Sequence, residues 1–209
     1  DIEDSVKANR LETRERAIAN GWDTKIDENG HVASDDAVQK KHNFHYNLWE
    51  MEKGGAKTRY QWNMDAIRTL KQIESENRLA TPGEQKVLSK FVGWGGLSQA
   101  FDAENAGWSK EYAELKELLS DEEYSEARAT VNNAFYTSPE IAMCMNSALV
   151  QFGFRGGNVL EPSMGIGNFF GSMPETMHEA KLYGVELDSI SGRIAKQLYQ
   201  NANISITGF

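Results

Sequence analysis

Three short apolar segments, Asn158-Val159-Leu160, Leu182-Tyr183-Gly184-Val185 and Ile204-Ser205-Ile206, are separated by stretches of helical period. Strands divided by helices cannot pair as tight hairpins. They pair parallel through right-handed crossovers, which confines this part of the chain to an α/β sheet. The helix before the third strand carries Ile190, Ile194 and Leu198 on one face, and a short helix precedes the second strand. The helix before the first strand carries Ile141, Met145, Leu149 and Phe152 along one stripe and closes at Gly153. Thr137-Ser138-Pro139-Glu140 reads as the capping box that launches it.

Upstream the pattern is helical throughout. Trp62, Ala66, Leu70 and Ile73 share one face. Thr81-Pro82-Gly83-Glu84 predicts a capped helix burying Val87, Leu88 and Phe91, ended by Gly93-Trp94-Gly95-Gly96. Ser109 opens a helix with Tyr112, Leu115 and Leu119, and Ser120-Asp121-Glu122-Glu123 caps another to about Thr130. Residues 1–58 are polar, with a turn at Asp27-Glu28-Asn29-Gly30 and a short helix expected around Ser5–Asn20. The expected organisation is an arm (1–58), a small helical subdomain (59–131) and half of an α/β domain (132–209).

With 40% hydrophobic and 25% charged residues, the 209-residue chain has the composition of an ordinary globular protein. No apolar run nears the roughly 18 residues of a membrane helix. A lone cysteine, Cys144, fits a reducing cytoplasm and excludes an internal disulfide. The opening Asp1-Ile2-Glu3-Asp4 is not a signal peptide and reads as internal to a longer polypeptide. A net charge of −9 opposes a grip on a phosphate backbone, so any basic surface for nucleic acid is expected mainly elsewhere in that polypeptide.

Chemistry concentrates where the first strand enters a glycine loop, Glu161-Pro162-Ser163-Met164-Gly165-Ile166-Gly167-Asn168-Phe169. Ligands of open α/β sheets sit at the carboxyl ends of strands. Gly165 and Gly167 allow a tight bend and close approach of a ligand. Glu161 offers a carboxylate to a cationic group. Glu186, ending the second strand, can accept both hydroxyls of a ribose, and Leu187 can touch the attached base. An amino-bearing portion near Glu161 and a nucleoside near Glu186 together describe S-adenosylmethionine. A dinucleotide fits less well: the third glycine of its fingerprint falls at Phe170, and Glu161 would oppose a pyrophosphate. No phosphate-loop motif for ATP occurs.

These residues resemble the motifs of adenine-N6 DNA methyltransferases. Asn133-Ala134-Phe135-Tyr136-Thr137-Ser138-Pro139-Glu140 is similar to the segment that precedes their cofactor loop, Glu161–Phe169 to the loop itself, and Gly184-Val185-Glu186-Leu187-Asp188 to their ribose motif. The resemblance implies a Rossmann-like methyltransferase sheet of strand order 3-2-1. It implies that Tyr136 and Thr137 line the methionine end, with Thr137 near its carboxylate. Glu161, Pro162, Ser163, Gly165 and Gly167 would hold the amino end, and Glu186 and Leu187 the nucleoside. Phe91-Val92-Gly93-Trp94-Gly95-Gly96-Leu97 and Asn168-Phe169-Phe170-Gly171-Ser172-Met173-Pro174 further resemble large bacterial proteins of phages and conjugative elements, in which a methylase-like region precedes a helicase-like one. That implies a bacterial cytoplasmic protein that meets DNA through its full length, alongside downstream methylase and helicase regions.

One family element is missing. The Asn/Asp-Pro-Pro-Tyr/Phe tetrapeptide that holds the target adenine does not occur; the prolines are Pro82, Pro139, Pro162 and Pro174. The 209 residues are therefore expected to hold the cofactor without transferring its methyl group, with no catalytic residue of their own. The alternative is a non-catalytic methylase-like module that binds or scaffolds a helicase, in anti-restriction for example. Without a fourth strand beside it, the Val159–Leu160 strand would present an open edge and favour self-association.

Elsewhere the bland interpretations are preferred. His42-x-x-His45 reads as surface rather than metal site, Cys144 as core packing, Trp94 as a buried anchor, Asp121-Glu122-Glu123 as a helix start, and Arg155 and Arg193 as solvated surface.

Overall fold

The computed structural model describes residues 40–47 and 53–209. The expected helix at Ser5–Asn20 and turn at Asp27–Gly30 lie outside the described residues. Among those described, the elements are α1 (Ala56–Ser75), α2 (Pro82–Leu88), α3 (Ser109–Leu118), α4 (Asp121–Thr130), α5 (Pro139–Gln151), β1 (Asn158–Glu161), α6 (Asn168–Gly171), β2 (Lys181–Glu186), α7 (Ser189–Leu198) and β3 (Asn203–Ile206). The strands form one parallel sheet in the order β1-β2-β3, the α/β arrangement and order expected. No helix among the described residues is long and apolar enough to cross a membrane.

Local sequence sets the helix starts. Thr81 and Ser120 each form a full capping box, with Glu84 and Glu123 reaching back to the cap residue's own N–H. The third expected box does not form. Ser138 is the cap residue of α5, and its side chain makes no cap bond. With Ser138 in that place the reciprocating position falls on Ile141, which has no oxygen to offer.

In α1, Ala66, Leu70 and Ile73 are buried as expected, joined by Tyr60, Met64 and Ile67. Trp62 is only partly covered and lines a cavity instead. Trp94 is buried among Tyr60, Phe91 and Phe101, the anchor foreseen. The α5 stripe differs: Ile141 is 57% and Phe152 86% exposed, and Met145 and Leu149 are also exposed. This helix instead buries Ala142 and Asn146, and Asn146 Nδ2 donates to the Phe169 carbonyl, tying α5 to the short α6. Cys144 shares the outward side and is exposed, which corrects its expected place in the core.

Helix α7 joins the helical region to the sheet. Its Ile190, Ile194 and Leu198 are buried, and one apolar cluster runs from Tyr60 through Leu115 and Phe170 to Tyr199. Polar clamps reinforce the junction. Gln85 Nε2 donates to the carbonyls of Gln197 and Leu198, and Gln200 Nε2 to that of Ala80. Arg193 pairs with Glu74 of α1 and Glu123 of α4, and Lys71 also reaches Glu123, so Arg193 is a structural cation rather than solvated surface. Burial raises the Glu123 pKa, but hydrogen bonds from Lys71, Arg193 and Ser120 outweigh it and bring the group down to about 2. Segment 42–46 adds a strap: Phe44 N–H donates to Leu198 O and Tyr46 N–H to Gly171 O, both at 2.8 Å.

Candidate functional site

The parallel register brings the carboxyl ends of β1 and β2 to one edge of the sheet, with Glu161 ending β1 and Glu186 ending β2. The loop after β1 folds back over this edge. Met164 N–H donates to Val185 O, and Gly167 N–H closes a turn onto Met164 O. Gly165 (φ 55°) and Gly167 (φ 88°) take left-handed conformations that side chains resist. Both also permit close packing. A Cβ on Gly165 would lie 2.9 Å from the Tyr136 ring, and one on Gly167 would collide with the Tyr199 ring. The close approach these glycines allow is thus used by two tyrosines, which wall the loop on either side.

Glu186 fastens the loop. One carboxylate oxygen accepts the Gly165 N–H at 2.6 Å, the other the Asp188 N–H at 2.8 Å. Each oxygen keeps a second lone pair for a ligand hydroxyl. Asp188 caps α7 by accepting the Ser191 N–H, and the Ser191 hydroxyl contacts the Tyr136 phenol at 2.5 Å. Burial lifts the Tyr136 pKa, so the phenol stays protonated. A chain of polar contacts from Asp188 through Ser191 therefore fixes the ring over Gly165.

Glu161 is the unusual group. One of its carboxylate oxygens is buried without a hydrogen-bond partner. Burial, and then the charge of Glu186, push its pKa up to about 8. A buried carboxyl with a vacant oxygen beside a second carboxylate is suited to receive a cation. Pro162 and Ser163 are exposed at the loop rim, and Leu187 is exposed just beyond Glu186. Thr137 contributes its carbonyl, which accepts from Asn168 Nδ2 at 2.8 Å, while Asn168 Oδ1 accepts from the Tyr46 hydroxyl.

Glu161, Glu186, the glycine loop and Tyr136 are therefore gathered at one edge of the sheet, and Thr137 is tied to the start of α6. Sequence inspection missed Asp188, Ser191, Asn168, Tyr46 and Tyr199. Asp188 carried a local signal, an Asp just ahead of an apolar helical run. The others act across 31 or more positions of sequence and carry none. Phe170, in place of a third glycine, is buried edge-on against Tyr199. His45 stacks on His178 at 3.9 Å with both exposed, and no cluster of three metal-ligating side chains occurs among the described residues. Comparison with protein-family models, with curated proteins and with solved structures finds no match for the chain.

Proposed function

We propose that residues 132–209 bind S-adenosylmethionine through the edge formed by Glu161, the 162–167 loop and Glu186. They would serve as the cofactor-binding portion of a Rossmann-like adenine-N6 DNA methyltransferase within a larger mobile-element protein. The observation that carries this is the buried, unpartnered oxygen of Glu161 beside Glu186. An uncompensated polar group there costs free energy until a donor arrives, and a cationic ammonium is the donor that also relieves the repulsion between the carboxylates. The ribose hydroxyls would use the remaining lone pairs of Glu186, and Leu187 would cover one face of the base. The rim of Pro162 and Ser163 and the wall of Tyr136 and Thr137 would frame the methionine portion.

When bound, the cofactor supplies an electrophilic methyl group on its sulfonium sulfur. In this reading the residues named above bind and orient it, and none of them acts as an acid, base or nucleophile. Recognition of the target adenine in DNA would fall to further methylase regions of the full protein, with a helicase region beyond them. The alternative is a methylase-like module that binds or scaffolds a helicase without transfer. Equilibrium dialysis against S-adenosylmethionine, with NAD and ATP as controls, tests the common core of both. Selective retention of S-adenosylmethionine supports the cradle, and indifference to all three ligands removes it.

A further inference from the structure

Tyr136, which the cofactor reading sets beside the methionine portion, also borders a separate cavity of about 1300 Å³. Its walls come from segment 44–47, the start of α1, the 86–95 stretch and the 134–140 stretch. Among the described residues its character differs from that of the acidic chain as a whole. Arg59 and Lys53 line it, with Trp62, Phe91 and Phe135 supplying aromatic surface.

Three features point to an anion with an attached ring. First, Arg59 Nε is buried without a hydrogen-bond partner, so this wall holds an unspent charged donor. Second, two helix N-termini bear on the same space. Gly54 and Thr58 flank the start of the 20-residue α1, and Ser138 and Pro139 start the 13-residue α5. Gly55 supplies no side-chain cap bond, which leaves first-turn N–H groups of α1 able to meet an oxyanion; in α5 Pro139 has no N–H and the Glu140 carboxylate takes its own. Third, Phe135 is 69% exposed at the cavity wall with its ring against Gly95, where a Cβ would fall 2.9 Å from the ring. An aromatic face held open beside donors is suited to a stacked base.

Two carboxylates also line the space, and both are engaged. Asp65 accepts from Gln61 and pairs with Arg68, while Glu140 accepts its own backbone N–H and the Ser138 hydroxyl and feels the charge of Lys53. The cavity exceeds the roughly 300–1,000 Å³ of typical small-ligand sites, which gives it room for more than one nucleotide.

We propose that this cavity binds a nucleoside phosphate, free or within a single strand. The base stacks on Phe135, and the phosphate meets Arg59 and the first turn of α1. The proposal goes beyond the cofactor reading and does not depend on it, since Glu161, Glu186 and the 162–167 loop take no part. Two or so phosphate contacts on a chain of net charge −9 favour a short stretch of strand over an extended duplex track.

Fluorescence anisotropy with a fluorescein-labelled octathymidylate, competed by unlabelled dTMP, ATP or a duplex of equal length, tests it on the whole chain. The expected result is binding whose log affinity falls with log salt at a slope of roughly −1.4, for about two phosphates. Arg59→Gln and Phe135→Ala are each expected to weaken it about tenfold. Circular dichroism and S-adenosylmethionine affinity should stay unchanged, which separates this site from the cradle. Full competition by dTMP or ATP assigns a free nucleotide, and binding of the oligomer alone assigns the strand. Phe135 is exposed, so its variant remains informative if the Arg59 variant does not fold. No binding of oligomer or nucleotide at millimolar concentration overturns the proposal, as does parental affinity in the Phe135 variant.

Discussion

Glu186 holds the Gly165 backbone N–H at 2.6 Å, so the residue proposed to meet a ribose also sets the shape of the loop proposed to hold the cofactor's amino end. Its second oxygen fixes the Asp188 N–H at the start of α7. Recognition and scaffold are thus combined in one carboxylate. Glu186→Ala is expected to abolish S-adenosylmethionine binding and to lower unfolding stability by about 2 kcal/mol, the scale of hydrogen bonds to a charged group. Urea denaturation of parent and variant measures it. A change below about 0.5 kcal/mol would show that these bonds do not hold the loop.

Glu161 makes stability fall as pH rises. Its pKa is about 8 in the folded chain against about 4.3 in an unfolded one, so the folded state binds the extra proton. Its contribution is full below about pH 4 and is lost as pH rises through 8. Glu161→Gln should stabilise the chain at pH 8.5 relative to the parent and flatten the parent's decline between pH 5 and 8.5. Identical slopes in the two proteins would mean that Glu161 ionises as an ordinary surface carboxylate.

At the junction of α1, α4 and α7, Glu123 receives both Lys71 and Arg193. Its pKa is depressed to about 2, so its stabilisation is present above about pH 4.3 and fades as pH falls towards 2. Glu123→Gln is expected to cost about 3 kcal/mol at pH 7, the lower end for breaking a buried pair, and little at pH 2. Thermal melts at the two pH values check the sign. An equal loss at both would attribute the effect to packing instead of charge.

Several large apolar groups are left uncovered. Leu160 on the edge strand β1 is 54% exposed, and Ile141, Met145, Leu149 and Phe152 of α5 are exposed as well. β1 pairs only with β2 among the described strands. An edge with unpaired N–H and C=O groups beside apolar surface favours pairing with a second copy. Sedimentation velocity should show concentration-dependent dimers, and Leu160→Lys should shift them to monomer. A parent that stays monomeric at several hundred micromolar would exclude the association.

Much of the fold was legible because it was written locally. Thr81 with Glu84 and Ser120 with Glu123 announced their helices through a four-residue pattern, and Leu160, Val185 and Ile206 marked strands by apolar runs between helical stretches. What escaped depended on distant partners. The α5 stripe looked like a buried face, yet which side of a helix is covered is decided by its neighbours, here α6 through Asn146. Arg193 looked like any surface arginine until α1 and α4 supplied Glu74 and Glu123.

The candidate site divides in the same way. Glu161, Gly165, Gly167 and Glu186 were visible from spacing, since strand ends and the loop between them must share one edge of a parallel sheet. The use of Gly165 as a floor for Tyr136, and of Glu186 as a clamp on that floor, was not visible. The first depends on a ring whose hydroxyl meets Ser191, 55 residues away, and the second on a carboxylate 21 residues beyond the glycine it holds.

Isothermal titration of S-adenosylmethionine into the chain at pH 7, in two buffers of different ionisation enthalpy, tests the central claim most directly. A protonated Glu161 that must ionise to receive an ammonium predicts binding with release of nearly one proton, and weaker binding without that release in Glu161→Gln. Absence of binding, or binding with no proton release and no response to Glu161→Gln, would contradict the assignment.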